Sequence, residues 1–230
     1  AEEGVKGCIA NGIDEKTANQ IYDDMTDFAK YAFNKSHAAA YAVVAYQTAF
    51  LKFYYPKEFM AALMTSVMDN TTKVSEYILA CRNMGIPILP PDINEGYSGF
   101  SVSGNGIRYG LSAIKSVGRA VVDVIIAERE NGGLFKSLDD FVSRMSNKEV
   151  NKRTLESFIK SGALDTLPGT RKQKLIVSGD LLESKAREKK TVMEGQLSFF
   201  DLAPEEEKNN FQITFPNVGE YDKQTLLAFE

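Results

Sequence analysis

The chain has 230 residues, 43% of them hydrophobic and 25% charged, with a formal net charge of -4. That balance suits one or two soluble globular domains with a real core. There is no signal peptide and no long apolar run, which argues against membrane association. The mild acidity means that any contact with nucleic acid must come from local basic patches.

Cys8 and Cys81 form no CxxC, so neither a zinc site nor a disulfide framework is suggested. Two buried thiols in a reducing cytosol, hence a cytoplasmic location, is the plain expectation. The first residue is not Met and the last ten, YDKQTLLAFE, look helical. Both ends therefore read as cuts in something larger.

Residues 1–32 read as two short helices broken at Asn11-Gly12, with Asp14 as N-cap of the second and Ile21, Met25 and Phe28 on its apolar face. Residues 33–55, FNKSHAAAYAVVAYQTAFLKFYY, are apolar on almost every face, the pattern of a helix buried by neighbours on most sides. Ser36 stands where its N-cap belongs, and Pro56 stops it. Its first turn has no acid; Lys35 precedes it and His37 lies within it, so its free N–H groups are open to an anion. Helical spacing aligns His37, Tyr41, Val44, Thr48 and Lys52 on one stripe. Two readings stay open: a core helix with satisfied polar groups, or a phosphate seat with a stacking ring one turn on.

After Pro56 a helix runs through Phe59, Leu63 and Val67 and ends near Asp69-Asn70; another begins at Thr71 or Thr72 and ends at the C′ glycine Gly85. IPILPPDINEG is extended, since Pro87, Pro90 and Pro91 rule out a helix and a central strand. Phe100-Ser-Val and Ile107-Arg-Tyr flank SGNG as a small β-hairpin.

Residues 111–130, LSAIKSVGRAVVDVIIAERE, have the rhythm of a helix-hairpin-helix, whose tight loop lets backbone N–H groups meet a phosphate. Gly118 fits, with Lys115 and Arg119 beside it. The usual motif has a second glycine where Ser116 stands, which leaves the tightness of the hairpin open, and with it the affinity for DNA. An ordinary helix pair closed by a glycine turn is the alternative. Residues 137–166 look like a second, weaker copy. Ser137 caps its first helix with Asp139 and Asp140 as capping charges rather than metal ligands. In its second helix Leu155, Phe158 and Ile159 face the core and Gly162 ends the run; Lys148, Lys152 and Arg153 are candidates for the DNA backbone or simply a solvated face. The stretch 171–190 carries Arg171, Lys172, Lys174, Lys185, Arg187, Lys189 and Lys190 against three acids, a basic patch that the total charge conceals. Leu175, Ile176, Leu181 and Leu182 allow it to dock as a helix against the hairpin region. Finally, Gln196-Leu197-Ser198-Phe199-Phe200 is an apolar cluster in polar sequence between Gly195 and Pro204, which reads as a docking peptide, with a loop folded back on its own domain as the alternative.

Three stretches in order, FNKSHAAAYA, YPKEFMAALMTSVMDN and GIPILPPDIN, closely resemble the fingers of the bacterial replicative DNA polymerase III α subunit, family C. The pentad at 196–200 resembles the bacterial sliding-clamp-binding peptide Gln-Leu-Ser/Asp-Leu-Phe, with Phe199 in place of Leu. The resemblance implies a mostly α fold: a helical fingers lobe with one short β-hairpin (1–110), a helix-hairpin-helix DNA-binding domain (111–190), and an extended linker (191–230) leading toward an OB-fold beyond the chain. It implies that Lys35, Ser36 and His37 lie near a nucleotide triphosphate and Tyr41 near its base or sugar. Lys115, Ser116, Gly118, Arg119, Lys152 and Arg153 would hold duplex DNA without reading sequence. Gln196, Leu197, Ser198, Phe199 and Phe200 would enter a pocket on the β sliding clamp. Primer-template DNA, an incoming dNTP and other replicase subunits are the implied partners of the parent enzyme.

No Asp-x-Asp on a strand, no nucleophile paired with His37 and no Walker loop is evident. In the resembled family the catalytic aspartates and their magnesium ions sit in a palm upstream of residue 1. The fragment is thus expected to hold no cofactor and to make no DNA alone. A free-standing helix-hairpin-helix DNA-binding protein is the main rival, and an independent enzyme using His37 as a base is the other.

Overall fold

Alanine and proline set the first architectural boundary. A computed structural model describes residues 7–30, 34–145, 150–193 and 214–229, and the chain falls into two units, Ala1–Phe53 and Tyr54–Glu230. In the first unit a 3-10 turn at Ile9–Asn11 ends at Gly12, and α1 spans Glu15–Lys30. Asp14 caps α1 as expected, accepting from the Thr17 amide (3.0 Å) and hydroxyl (2.6 Å). Those bonds, the hydroxyl first, hold its carboxyl below the usual range.

Helix α2 spans Lys35–Tyr54. Ala38, Ala39, Ala40, Ala42, Ala45 and Ala49 favour the helix by intrinsic propensity, independently of packing. Two expectations are corrected here. The cap is Asn34, not Ser36: the Asn34 side-chain oxygen accepts from the amides of Ser36 (3.0 Å) and His37 (3.4 Å) and from the Ser36 hydroxyl. Nor is α2 a buried helix. It has no buried residue, and Tyr46 and Phe53 are more than 70% exposed. Met25 and Phe28 of α1 are exposed as well. The apolar pattern records a demand for cover that is not met among the described residues.

In the second unit, α3 (Pro56–Ser66) starts on a proline, and α4 (Thr71–Asn83) starts on Asn70, whose side chain accepts from the Lys73 amide. At the far end of α4, Gly85 takes φ +72°, and the amides of Gly85 and Ile86 bond the carbonyls of Arg82 and Cys81. That is the paired 5→2 and 6→1 closure which a glycine at C′ permits. β1 (Ile88–Leu89) pairs in parallel with β3 (Gly106–Arg108), which pairs antiparallel with β2 (Ser101–Ser103). The predicted hairpin is therefore β2–β3, and the proline-rich run adds an edge strand to it. Met60, Met64, Val74, Cys81, Phe100 and Ile107 form the core of this part. Burial pushes the Cys81 thiol up. Cys8, expected buried, is exposed, its turn having no buried residue among those described.

The larger core belongs to α5 (Arg119–Gly132), α6 (Leu138–Met145), α7 (Lys152–Lys160) and α8 (Arg171–Met193). Leu155, Phe158 and Ile159 face it, as their spacing predicts, and α8 docks on α6 and α7 through Leu181. Ile176, also expected to dock, is half exposed, since it lies on the outer face of α8. The PDIN loop joins this core from outside. Ile93 is fully buried in it, its amide bonds the Ala163 carbonyl, and Asn94 exchanges hydrogen bonds with both backbone groups of Phe135. Arg129 reaches back to the carbonyls of Ile93 and Gly96 at 3.0 Å. Residues 214–222 then lead into α9 (Lys223–Phe229), capped by Asp222. No described helix is long and apolar enough to cross a membrane.

Candidate nucleic-acid interface

The loop before α5 is pinned from beneath. A 3-10 turn at Leu111–Ala113 buries Leu111, and Ile114 and Val117 are buried on either side of the exposed pair Lys115-Ser116. The Val117 amide bonds the Ile114 carbonyl at 3.1 Å. With both apolar anchors fixed, the residue between them must turn sharply. Ser116 does so at φ +68°, the only positive φ outside glycine among the described residues. The serine thus adopts the left-handed backbone that the motif's glycine adopts without strain, and the hairpin is tight.

Gly118 then opens α5 in an extended conformation with no side-chain cap, and no acid stands in the first turn. Gly118 and the Arg119 beside it are exposed. Across from it, α7 starts on Asn151, whose side chain accepts from the Thr154 amide (3.0 Å) and hydroxyl (3.2 Å). That first turn also lacks an acid and exposes Lys152 and Arg153. Ser116, Gly118, Val121, Val150, Asn151 and Thr154 line one open depression of about 570 Å³. The two candidate hairpins therefore share one surface. Lys115, Arg119, Lys152 and Arg153 make no ion pair among the described residues. Lys115, Arg119 and Arg153 are chain neighbours of the lining residues, while the Lys152 side chain lies toward Gly179 of α8. A shallow trough between two helix starts suits an anion such as a phosphate. Sequence reasoning missed Asn151 and Thr154. The signal was there, an Asn two residues before an exposed Arg and three before a Thr, but it announces a cap and not a shared trough.

The basic stretch at 171–190 is another matter, and the expectation of a surface patch is corrected. Lys174 is fully buried and donates to the carbonyls of Leu164 (2.7 Å) and Leu167 (2.8 Å). Burial lowers its pKa, opposed by the charges of Asp165 and Glu220. Arg171 forks onto Asp165 and bonds the Lys160 carbonyl. Lys185 faces Asp139 at 3.5 Å and Arg187 faces Glu183 at 3.4 Å. Arg171, Lys174 and Lys185 thus hold the end of α7 and the surface of α6, whereas the Arg187–Glu183 pair lies within α8 and is exposed. The side chains of Lys189 and Lys190 lie outside the described residues. Asp139 and Asp140 act as capping charges: Ser137 accepts from the Asp140 amide, and Asp140 accepts from the Lys136 amide. Among the described residues no cluster of His, Cys, Asp or Glu could hold a metal ion.

On α2, Lys35, Ser36, His37 and Tyr41 lie together on the first turns, all exposed, with the rings of His37 and Tyr41 4.5 Å apart at 52°. The Asn34 cap already occupies two of the amides that the sequence offered to an anion. Gln196, Leu197, Ser198, Phe199 and Phe200, like Lys148, lie outside the described residues.

Residues 85–174 match the family model for the helix-hairpin-helix motif. Over 98% of its length the chain is 46% identical to DNA polymerase III subunit alpha of Escherichia coli K12, covering 19% of that protein. It is 41% identical to the same subunit of Borreliella burgdorferi over 98% of the chain and 20% of the relative. With the subunit of Thermus aquaticus it shares 51% identity over 71% of the chain and 13% of the relative. The chain spans about a fifth of the length of these curated relatives or less.

Because Ser116 carries a backbone that glycine adopts freely, Ser116→Gly is expected to stabilise the second unit, by roughly 0.5–1 kcal/mol after the larger entropy of an unfolded glycine is subtracted. Ser116→Val should destabilise it by at least as much, since a β-branched side chain is worst in that region. Urea denaturation of the three chains checks both signs.

Proposed function

We infer that this chain, which belongs by sequence to one segment of DNA polymerase III subunit alpha, supplies a replicative polymerase with grip and attachment rather than bond-making. The observation that carries the reading is the trough between the starts of α5 and α7. The starts of two helices without first-turn acids line it, next in the chain to Lys115, Arg119, Lys152 and Arg153. Such a surface takes backbone phosphates of duplex DNA and is blind to base sequence. A net charge of -4 is compatible with this role, because Arg171, Lys174 and Lys185 of α8 are held by other elements of the fold while Lys115, Arg119, Lys152 and Arg153 make no ion pair among the described residues.

The pentad Gln196-Leu197-Ser198-Phe199-Phe200 is the attachment point for the β sliding clamp. Gln196 anchors by hydrogen bonds while Leu197, Phe199 and Phe200 fill an apolar pocket, which accepts Phe199 in place of Leu. The start of α2 lies near the incoming dNTP in the parent enzyme. Lys35 and His37 lie toward the triphosphate with Ser36, and Tyr41 stands one turn on, beside the base or sugar. The magnesium ions belong to the parent's palm, and the other replicase subunits and a cytoplasmic location follow from the same role. A free-standing helix-hairpin-helix protein is disfavoured by similarity that runs through both units.

Three measurements test these assignments. Replacing Lys115, Arg119, Lys152 and Arg153 with Ala should weaken binding to duplexes of any sequence alike. For each phosphate that a removed cation had neutralised, the slope of log K against log salt should also flatten by about 0.9; an unchanged slope removes the trough. The Phe199→Ala, Phe200→Ala double variant should lose at least tenfold in clamp affinity, measured by titration, if the two rings are the anchors. In the parent polymerase, His37→Ala should raise the KM for dNTP with duplex binding unaltered.

A further inference from the structure

The first four amides of a helix have no partner inside it, and a buried or half-buried start needs all four supplied from elsewhere. The start of α8 is supplied completely, from two places 50 residues apart. Locally, Thr170 and Gln173 form a reciprocal box: the Thr170 amide donates to the Gln173 side chain (2.9 Å), and the Gln173 amide donates to the Thr170 hydroxyl (3.2 Å). The remaining two come from far along the chain. The amides of Arg171 and Lys172 donate to the Glu220 carboxylate at 2.8 and 3.1 Å.

Three further contacts seat the same returning segment. The Gln173 side-chain amide donates to the Pro216 carbonyl at 3.0 Å. The Lys172 ammonium lies 5.5 Å from the centre of the Tyr221 ring. Phe215 packs on the main core and lies against Gly169, where a Cβ would meet its ring at 2.8 Å. Gly169 also has φ +94°, so both its conformation and this close approach call for glycine. Burial works to raise the Glu220 carboxyl, but the hydrogen bonds from Tyr221, Arg171 and Lys172 outweigh it and hold it below the ordinary value.

We propose that residues 214–221 are an in-chain docking segment whose seat is the start of α8, so that the stretch 194–213 is fastened to the helix-hairpin-helix module at both ends. The contact stands on its own residues and does not depend on what that stretch binds. Its consequence follows from lengths. α8 has 23 residues, about 34 Å, and the stretch leaves from its far end and rejoins at its start. Twenty residues span at most about 70 Å, about twice the length of α8. The chain after 213 therefore keeps its place on the module whether or not a partner holds the stretch before it.

Amide hydrogen exchange on the full 230-residue chain tests this, with Glu220→Ala and Glu220→Gln as variants. Glu220 is exposed on its outer side, so its loss opens no cavity in the core. In Glu220→Ala, the amides of Arg171 and Lys172 and those of 214–221 should exchange at least about tenfold faster, while α6 and α7 keep their protection. Glu220→Gln, which keeps one acceptor oxygen and presents an NH2 to the other amide, should restore protection at only one of Arg171 and Lys172. Unprotected Arg171 and Lys172 amides in the unaltered chain, or rates unchanged by Glu220→Ala, overturn the proposal. Adding β sliding clamp gives a separate readout. Those amides should stay protected when the clamp binds; their release by the clamp would also overturn it, whereas a clamp that fails to bind sinks the peptide assignment and leaves the docking result standing.

Discussion

Helix starts are where this chain spends its polar side chains. Asp14, Asn34, Asn70, Ser137, Asn151 and Asp222 each accept from amides that the helix itself cannot satisfy, and α8 takes Thr170 together with Glu220. Two longer helices lack such a side chain. In α3 a proline at the first position has no amide to satisfy there. In α5 the start is left bare behind Gly118. Against such consistent capping, the uncapped start of α5 beside exposed cations is the exception among the described helices.

Local signals were readable and distant ones were not. Asp14, Ser137, Gly85 and Gly162 announce helix ends through rules that act within four residues, and the structure has the ends there. Asn34 and Ser36 can both cap, and the sequence does not say which side chain wins. The backbone of Ser116 was beyond local reasoning, because serine has no liking for positive φ; the buried neighbours Ile114 and Val117 impose it. Glu220 gives no sign that it caps a helix begun 49 residues earlier.

Charge followed the same division. Counting cations between 171 and 190 suggests a surface for phosphates, yet Lys174 is wholly interior. Its ammonium donates to two carbonyls past the end of α7; that of Leu164 also accepts from the Leu167 amide, and a shorter or apolar residue would take this donor from the Leu167 carbonyl. Lys115, Arg119, Lys152 and Arg153, by contrast, stand exposed on two separate segments and form no run at all. Burial of α2 was misjudged for a related reason: an apolar pattern states what a helix needs, while cover comes from elements that the pattern does not name.

The two thiols sit in opposite surroundings, one exposed on the turn before α1, the other sealed in the core beneath α3 and α4 with its ionisation suppressed. A maleimide or iodoacetamide reagent therefore meets only Cys8 while the fold is intact. One dye per molecule lands on the Ala1–Phe53 unit without mutagenesis, and a second equivalent taken up would report the opening of the other unit.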